Sequence, residues 1–179
     1  MHHRPGQRDQ LRMAGVTPVD RPDLGWLVGG GPRLPQPYAL LVPGAAPHRP
    51  AKRWPAGHYG QLAAQMVAHG ITPIVVGSAG EQPLAAQILR HCPQALDLTG
   101  QTSLPDLAGL AARAWGAVGN DTGPMHLAAE VGCRCLVLFS RESTPARTAP
   151  LGYAPGQVDV LWARDLAVLS VQRVAAALW

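Results

Sequence analysis

The sequence is poor in aromatic residues, in charge and in cysteine, and each shortage excludes something. Of 179 residues only one is phenylalanine, three are tyrosine and five are tryptophan. They are not interleaved with the basic residues as a base-stacking platform requires, so nucleic acid is not an expected partner. Three cysteines, an odd number, argue against a disulfide framework. Cys133 and Cys135 lie two apart at a strand start, hence on one face, and nothing supplies the other ligands of a zinc site. Buried thiols in a reducing cytoplasm are the expectation, with no metal. No apolar run reaches the ~18–20 residues of a membrane helix. The opening MHHRPGQRDQ has no apolar segment behind it and does not read as a secretory signal. Gly-x-Gly-x-x-Gly is missing after the first strand, as are Gly-Lys-Ser/Thr and Gly-x-Ser-x-Gly. Those absences disfavour a dinucleotide oxidoreductase, a Walker-type ATPase and an α/β-hydrolase.

What is present suits a folded domain. Hydrophobic residues make up 47% and charged residues 15%, and the length is close to that of one domain with a proper core. The net charge of +4 fits an anionic ligand, a nucleotide or an acidic glycolipid.

Residues 1–37 read as a connector, broken by a polar stretch from Gln7 to Ala14 and closed by GGGPRLPQP (29–37). The segment resembles the tail of something upstream. From Tyr38 to Trp179 the pattern becomes regular. YALLVP (38–43), ITPIVVG (71–77), ALDLTG (95–100), WGAVGN (115–120), CLVLF (135–139) and VDVLWA (158–163) are short apolar runs of strand length. Pro73 is awkward in a central strand and predicts that the second strand starts after it. Between the runs lie helical patterns: His58–Gly70, one from about Gln82, Ser103–Ala114 with Ser103 and Asp106 in a capping-box arrangement, a short one carrying His126, and a final one capped by Ser170. Alternating strands and helices predict an α/β fold, a Rossmann-like parallel sheet with helices on both faces.

Ligands of such sheets bind beyond the carboxyl ends of the strands, and three loops there carry chemistry. In Asn120-Asp121-Thr122-Gly123-Pro124-Met125-His126, Thr122 or Gly123 is placed to cap a helix and Pro124 suits its first turn. The free amides and positive end of that helix offer a seat for a diphosphate. Thr122 adds a hydroxyl, Gly123 permits close approach, and His126 reaches the same anion. Asp121 would repel phosphate, which directs it to a sugar hydroxyl or to neighbouring amides. A merely well-capped turn is the competing reading. In Pro43–Pro55, Arg49, Lys52 or Arg53 could meet phosphates, with Trp54-Pro55 as an anchor; a solvated basic loop is the alternative. In Gly77-Ser78-Ala79-Gly80-Glu81, Glu81 could hold a ribose or complement a helix dipole.

Taken together, LLVPGAAPHRPAKRWP (40–55), VVGSAGE (75–81) and GNDTGPMHLAAEVG (119–132) resemble the C-terminal half of the heptosyltransferase family, glycosyltransferase family 9. The likeness extends over most of residues 38–145. It implies one half of a GT-B fold, with a nucleotide-sugar-binding domain over 38–179 and a lead-in over 1–37. It implies inverting, metal-free transfer in lipopolysaccharide or glycan biosynthesis from a donor such as ADP-heptose, with no cofactor. It also implies a glycolipid or glycan acceptor bound by an N-terminal half, and a cytoplasmic location with peripheral contact at the inner membrane. Carried over by motif, Lys52 would neutralise the leaving diphosphate and Glu81 would hold the ribose. Asp121 would bind the donor sugar, while Thr122, Gly123 and His126 would hold the diphosphate. Two departures stand out. Ala45 and Ala46 offer no hydroxyl where members often have Ser or Thr, and the family's general base, an Asp of the N-terminal half, has no counterpart: neither Asp9 nor Asp20 has a matching context. A non-catalytic nucleotide or nucleotide-sugar module, or another GT-B enzyme such as a nucleotide-sugar epimerase, remain alternatives.

Overall fold

A computed structural model describes residues 13–15 and 24–179. Within them six strands form one parallel sheet: β1 (Tyr38–Val42), β2 (Thr72–Val75), β3 (Leu96–Asp97), β4 (Gly116–Asn120), β5 (Cys135–Phe139) and β6 (Val158–Trp162). Their order is β3-β2-β1-β4-β5-β6. The helices are α1 (Ala56–Ala68), α2 (Gln82–His91), α3 (Leu104–Arg113), α4 (Gly123–Glu130), α5 (Pro145–Thr148) and α6 (Val171–Ala176). All six expected strands are there, β3 cut to a single pair of residues. The expected polar helix end at Gln7–Ala14 falls almost wholly outside the described residues.

Successive strand side chains point to opposite faces, and here both faces are covered. Ala39, Leu41, Val75, Val118, Leu136 and Leu138 meet Leu62 and Met66 of α1, Ile88 of α2 and Val174 of α6. Tyr38, Leu40, Val42, Ala117, Val137 and Phe139 meet Leu110 of α3 and Met125 and Ala128 of α4. This double burial explains why β1, β2, β4 and β5 read as continuous apolar runs rather than alternating ones, whereas the outer strands β3 and β6 stay partly exposed. Cys133 and Cys135 both lie in the second layer, on one face as expected, and hydrogen bonding with Cys133, together with burial, pushes the Cys135 thiol up.

Helix boundaries follow local chemistry. Gly70, at φ 75°, stops the chain after α1. Ser103 and Asp106 form a reciprocal capping box on α3, and the Ser170 hydroxyl accepts from the Arg173 amide on α6. Pro73 contradicts the expectation for β2, which begins a residue earlier and pairs Pro73 with Ala39. Thr72 and Val76 donate their amides to the β1 side, so the intervening odd positions face β3, whose pairing starts only at Ile74–Leu96. The missing amide of Pro73 therefore costs no ladder bond.

The glycine-rich segment before β1 is not a loose connector. Arg113 donates to the carbonyls of Val28, Gly30, Gly31 and Pro32, and the Gly31 amide donates to Asp106 at 2.8 Å. A Cβ on Gly109 would overlap the Gly30 carbonyl, and one on Gly30 would lie 2.6 Å from the Pro105 oxygen. The run of glycines lets this strap lie directly on α3, the helix that later forms one wall of the site.

Candidate functional site

The chain leaves β1 toward β2 on one side and returns to β4 on the other, so the crevice beyond β1 and β4 is a topological switch point. The three loops singled out from the sequence all open at this edge of the sheet. The loop after β1 carries Lys52 and the turn after β4 carries Asp121. The structure brings the two together although they are 69 positions apart: Lys52 Nζ donates to Asp121 Oδ2 at 2.5 Å and to the Asp121 carbonyl at 3.1 Å. Their side chains are only 12% and 7% exposed. On the other side of Asp121, His126 Nε2 lies 4.0 Å from Oδ1.

The basic loop is held by its anchor, as the Trp-Pro pair suggested. Trp54 is buried, donates its indole N–H to the Leu169 carbonyl at 2.8 Å, and packs edge-on against Tyr59. Arg53 turns inward and donates to the Ala45 carbonyl, while a single 3-10 turn at Pro50–Lys52 aims Lys52 at Asp121. Of the three basic candidates, only Lys52 joins the cluster.

Thr122 occupies the N-cap position of α4, but its hydroxyl donates back to the Asn120 carbonyl and makes no cap bond. The first turn is thus left without a side-chain cap, which is unusual for a Thr there. A Cβ placed on Gly123 would meet nothing within 4 Å, so the space over the start of α4 is open.

Glu81 closes the site on the β2 side. Its Oε2 accepts from the Ser78 amide at 2.7 Å and from the Ser78 hydroxyl at 3.0 Å, while its carboxyl group lies where a side chain on Gly44 would have to be. Glu81 caps the 3-10 turn Ala79–Glu81, and it also stands in the wall of a cleft. That cleft has a volume of about 420 Å³ and runs from Val42, Gly44 and Ala45 past Val76 and Glu81 to Leu104 and Leu107 of α3, with Thr122 and Pro124 at its far side. The walls are mostly apolar. Lys52, Asp121 and His126 lie off the cleft lining, next to Thr122. The arrangement is an apolar slot with one carboxylate, leading to the uncapped end of a helix flanked by an ammonium and an imidazole.

The sequence reading missed two features. The α3 wall, with Thr102, Ser103, Leu104 and Leu107, had read as an ordinary capped helix, and no local signal marks it. Asn120 is fully buried at the end of β4. An amide ending an apolar strand must satisfy all its hydrogen-bonding groups inside the protein, and that was a readable cue.

The fold is a Rossmann-like α/β layer with a cleft at its topological switch point. The glycosyltransferase family 9 (heptosyltransferase) model matches residues 7–165. The chain belongs to this family. It is 36% identical over 121 residues to lipooligosaccharide heptosyltransferase 2 of Haemophilus influenzae, covering 65% of this chain and 34% of that protein. Among solved structures, E. coli ADP-heptose lps heptosyltransferase II is similar with a TM-score of 0.71 at 26% identity, over 96% of this chain and 49% of that one. E. coli heptosyltransferase WaaC with ADP gives a TM-score of 0.77 at 21% identity, over 93% and 52% of the two chains, a likeness of fold. The chain spans about a third of the length of the curated relatives it matches and about half that of the solved ones. Its layer is accordingly one half of a GT-B fold.

Proposed function

We propose that this chain supplies the donor side of a heptosyl transfer in lipopolysaccharide biosynthesis, binding a nucleoside-diphosphate heptose of the ADP-heptose type. The observation that carries the reading is the meeting of Lys52 and Asp121 from distant loops, beside a cleft whose one carboxylate is Glu81. Two similar structures support the choice of donor: one is an ADP-heptose heptosyltransferase, and the other was solved with ADP. In this reading the nucleoside occupies the apolar cleft with its ribose hydroxyls on Glu81. The diphosphate lies across the first turn of α4, over Gly123, where backbone amides and the helix dipole favour negative charge.

Lys52 has three N–H donors. Two are used by Asp121, one on the carboxylate and one on the carbonyl, and the third is left for a phosphate oxygen. Asp121 therefore orients Lys52 while offering Oδ1 to a hydroxyl of the donor sugar, and His126 adds a second donor to the diphosphate. Bond breaking at the anomeric carbon transfers negative charge to the leaving diphosphate, and an ammonium already fixed in place stabilises that charge without reorganising. The acceptor hydroxyl must lose a proton to a base. In this reading that base and the acceptor site come from the facing half of the GT-B pair. Among the described residues no helix is long and apolar enough to cross a membrane. Residues 38–179 form the donor domain, with the strap before Tyr38 leading in from the facing half.

The test is transfer from ADP-heptose to a lipopolysaccharide-core acceptor, with this chain joined to an N-terminal half from a family member. Heptose incorporation that disappears with Lys52→Met supports the reading. Donor binding without any transfer would favour the non-catalytic module.

A further inference from the structure

Asn120 is not among the proposed donor contacts, yet it joins more segments of the site than any residue named above. Its side chain is buried at the end of β4, immediately before Asp121. Oδ1 accepts from the Trp54 amide at 3.0 Å and lies 3.1 Å from the Tyr59 hydroxyl. Nδ2 donates to the Pro43 carbonyl at 2.9 Å and to the Gly44 carbonyl at 3.0 Å. One amide thus uses two donors and its acceptor on three places: the exit of β1, the end of the basic loop, and helix α1.

From this geometry we infer that Asn120 is the positioning residue of the site, fixing Lys52 against Asp121 through the backbone. That role rests on the donor-site reading. Lys52 stands two residues before Trp54, whose amide Asn120 holds, and Asp121 follows Asn120 directly. The two ends of the ion pair are therefore tied to one side chain. Gly44, whose carbonyl Asn120 also holds, lies against the Glu81 carboxyl group, but Glu81 itself is held from its own loop by the Ser78 amide and hydroxyl. A carboxylate or a hydroxyl at this position could not reproduce the pattern. The carboxylate lacks the two N–H donors aimed at carbonyls, and the hydroxyl is too short to span both sides. An amide of Asn size is the group the arrangement demands.

Anchoring of the diphosphate and anchoring of the nucleoside are then separable. Losing the fixed point should loosen Lys52 and the exit of β1, while Val76, Leu104 and Leu107 of the cleft stay on their own elements. A charge-assisted hydrogen bond contributes ~1.5–3 kcal/mol, so a mislaid Lys52 converts to roughly a tenfold to hundredfold loss of affinity for a diphosphate.

The experiment has a ligand-free arm and a ligand arm, in the unaltered chain, Asn120→Ala and the milder Asn120→Ser. Amide hydrogen exchange without ligand reads the anchoring: the Trp54 amide of the unaltered chain should be protected like those of β4, and should exchange much faster in the variants. Trp54 exchange as fast as that of the exposed 46–50 stretch in the unaltered chain overturns the inference even if neither variant folds. Calorimetric titration with ADP and with adenosine reads the consequence. The expected result is at least a tenfold loss for ADP with adenosine changed less than threefold. Equal losses, or none, would show a structural asparagine and overturn the positioning role. Should ADP fail to bind the unaltered chain, the donor-site reading falls and the positioning role with it, whereas protected Trp54 exchange would still stand as anchoring of the fold.

Discussion

Two glycines four positions apart should respond in opposite ways to one added methyl group. Gly119 lies in β4 beneath α4, and a Cβ there would come within 2.6 Å of Met125 Sδ and 2.7 Å of the Val42 Cβ. Neither neighbour moves cheaply, since both are buried and one is a branch point on β1. Overpacking of this kind costs about 1–3 kcal/mol, which for a chain of this size lowers Tm by roughly 2–10 °C. Gly123, at the start of α4, has neither constraint. Its φ lies outside the left-handed region and a Cβ meets nothing within 4 Å. Gly123→Ala should therefore leave stability unchanged or raise it by up to about 1 kcal/mol, through the lower entropy of the unfolded chain. The open space over Gly123 is where the diphosphate is proposed to lie, so the same methyl should weaken ADP binding at least tenfold. Thermal denaturation and calorimetric titration of both variants decide the matter. A Gly123→Ala protein that keeps its stability and binds ADP like the unaltered chain would refute the placement of the diphosphate.

Lys52→Met leaves the Asp121 carboxylate in a poorly solvated place, with His126 as its remaining ionic neighbour among the described residues. Since the pair keeps slight exposure, a loss of ~2–4 kcal/mol is expected, and urea denaturation should show most of it recovered by adding Asp121→Asn. Glu81→Gln keeps the shape but weakens acceptance of ribose hydroxyls, and should reduce adenosine and ADP affinity by similar factors, in contrast to Lys52→Met, which should reduce only ADP. At Asp106 the Ser103 hydroxyl and amide hold the carboxyl below its ordinary value. A depressed pKa contributes stability above the unfolded value and loses it as pH falls through the folded one, so exchange of the Ser103 and Gly31 amides should quicken below about pH 4, an effect that Asp106→Asn removes. Gly109→Ala drives a methyl into the Gly30 carbonyl, and limited proteolysis should then cut near residues 28–32 faster than in the unaltered chain.

How much of this was legible beforehand depended on whether the cause was local. The inner strands β1, β2, β4 and β5 were readable because burial on both faces leaves uninterrupted apolar runs, and the caps at Ser103 and Ser170 because their partners lie three residues away. Pro73 misled because its tolerance depends on how short β3 is, a fact held elsewhere in the chain. The glycine-rich strap read as a linker because its partner helix α3 starts more than seventy residues later. At the site, Lys52, Glu81, Thr122 and Asp121 were readable as chemistry-bearing residues on loops. That Lys52 and Asp121 pair with each other was not, since only the β1–β4 adjacency brings them together. The α3 wall was invisible for the same reason, being assembled from leucines that look like any helix face.

The central claim is that this half holds a nucleoside diphosphate at the β1–β4 switch point. Calorimetric titration of the chain with ADP tests it most directly, with UDP and GDP as controls and Lys52→Met as the site-specific check. Saturable binding of ADP is expected, weakened at least tenfold by Lys52→Met. No binding, or binding that the variant leaves untouched, would contradict the claim.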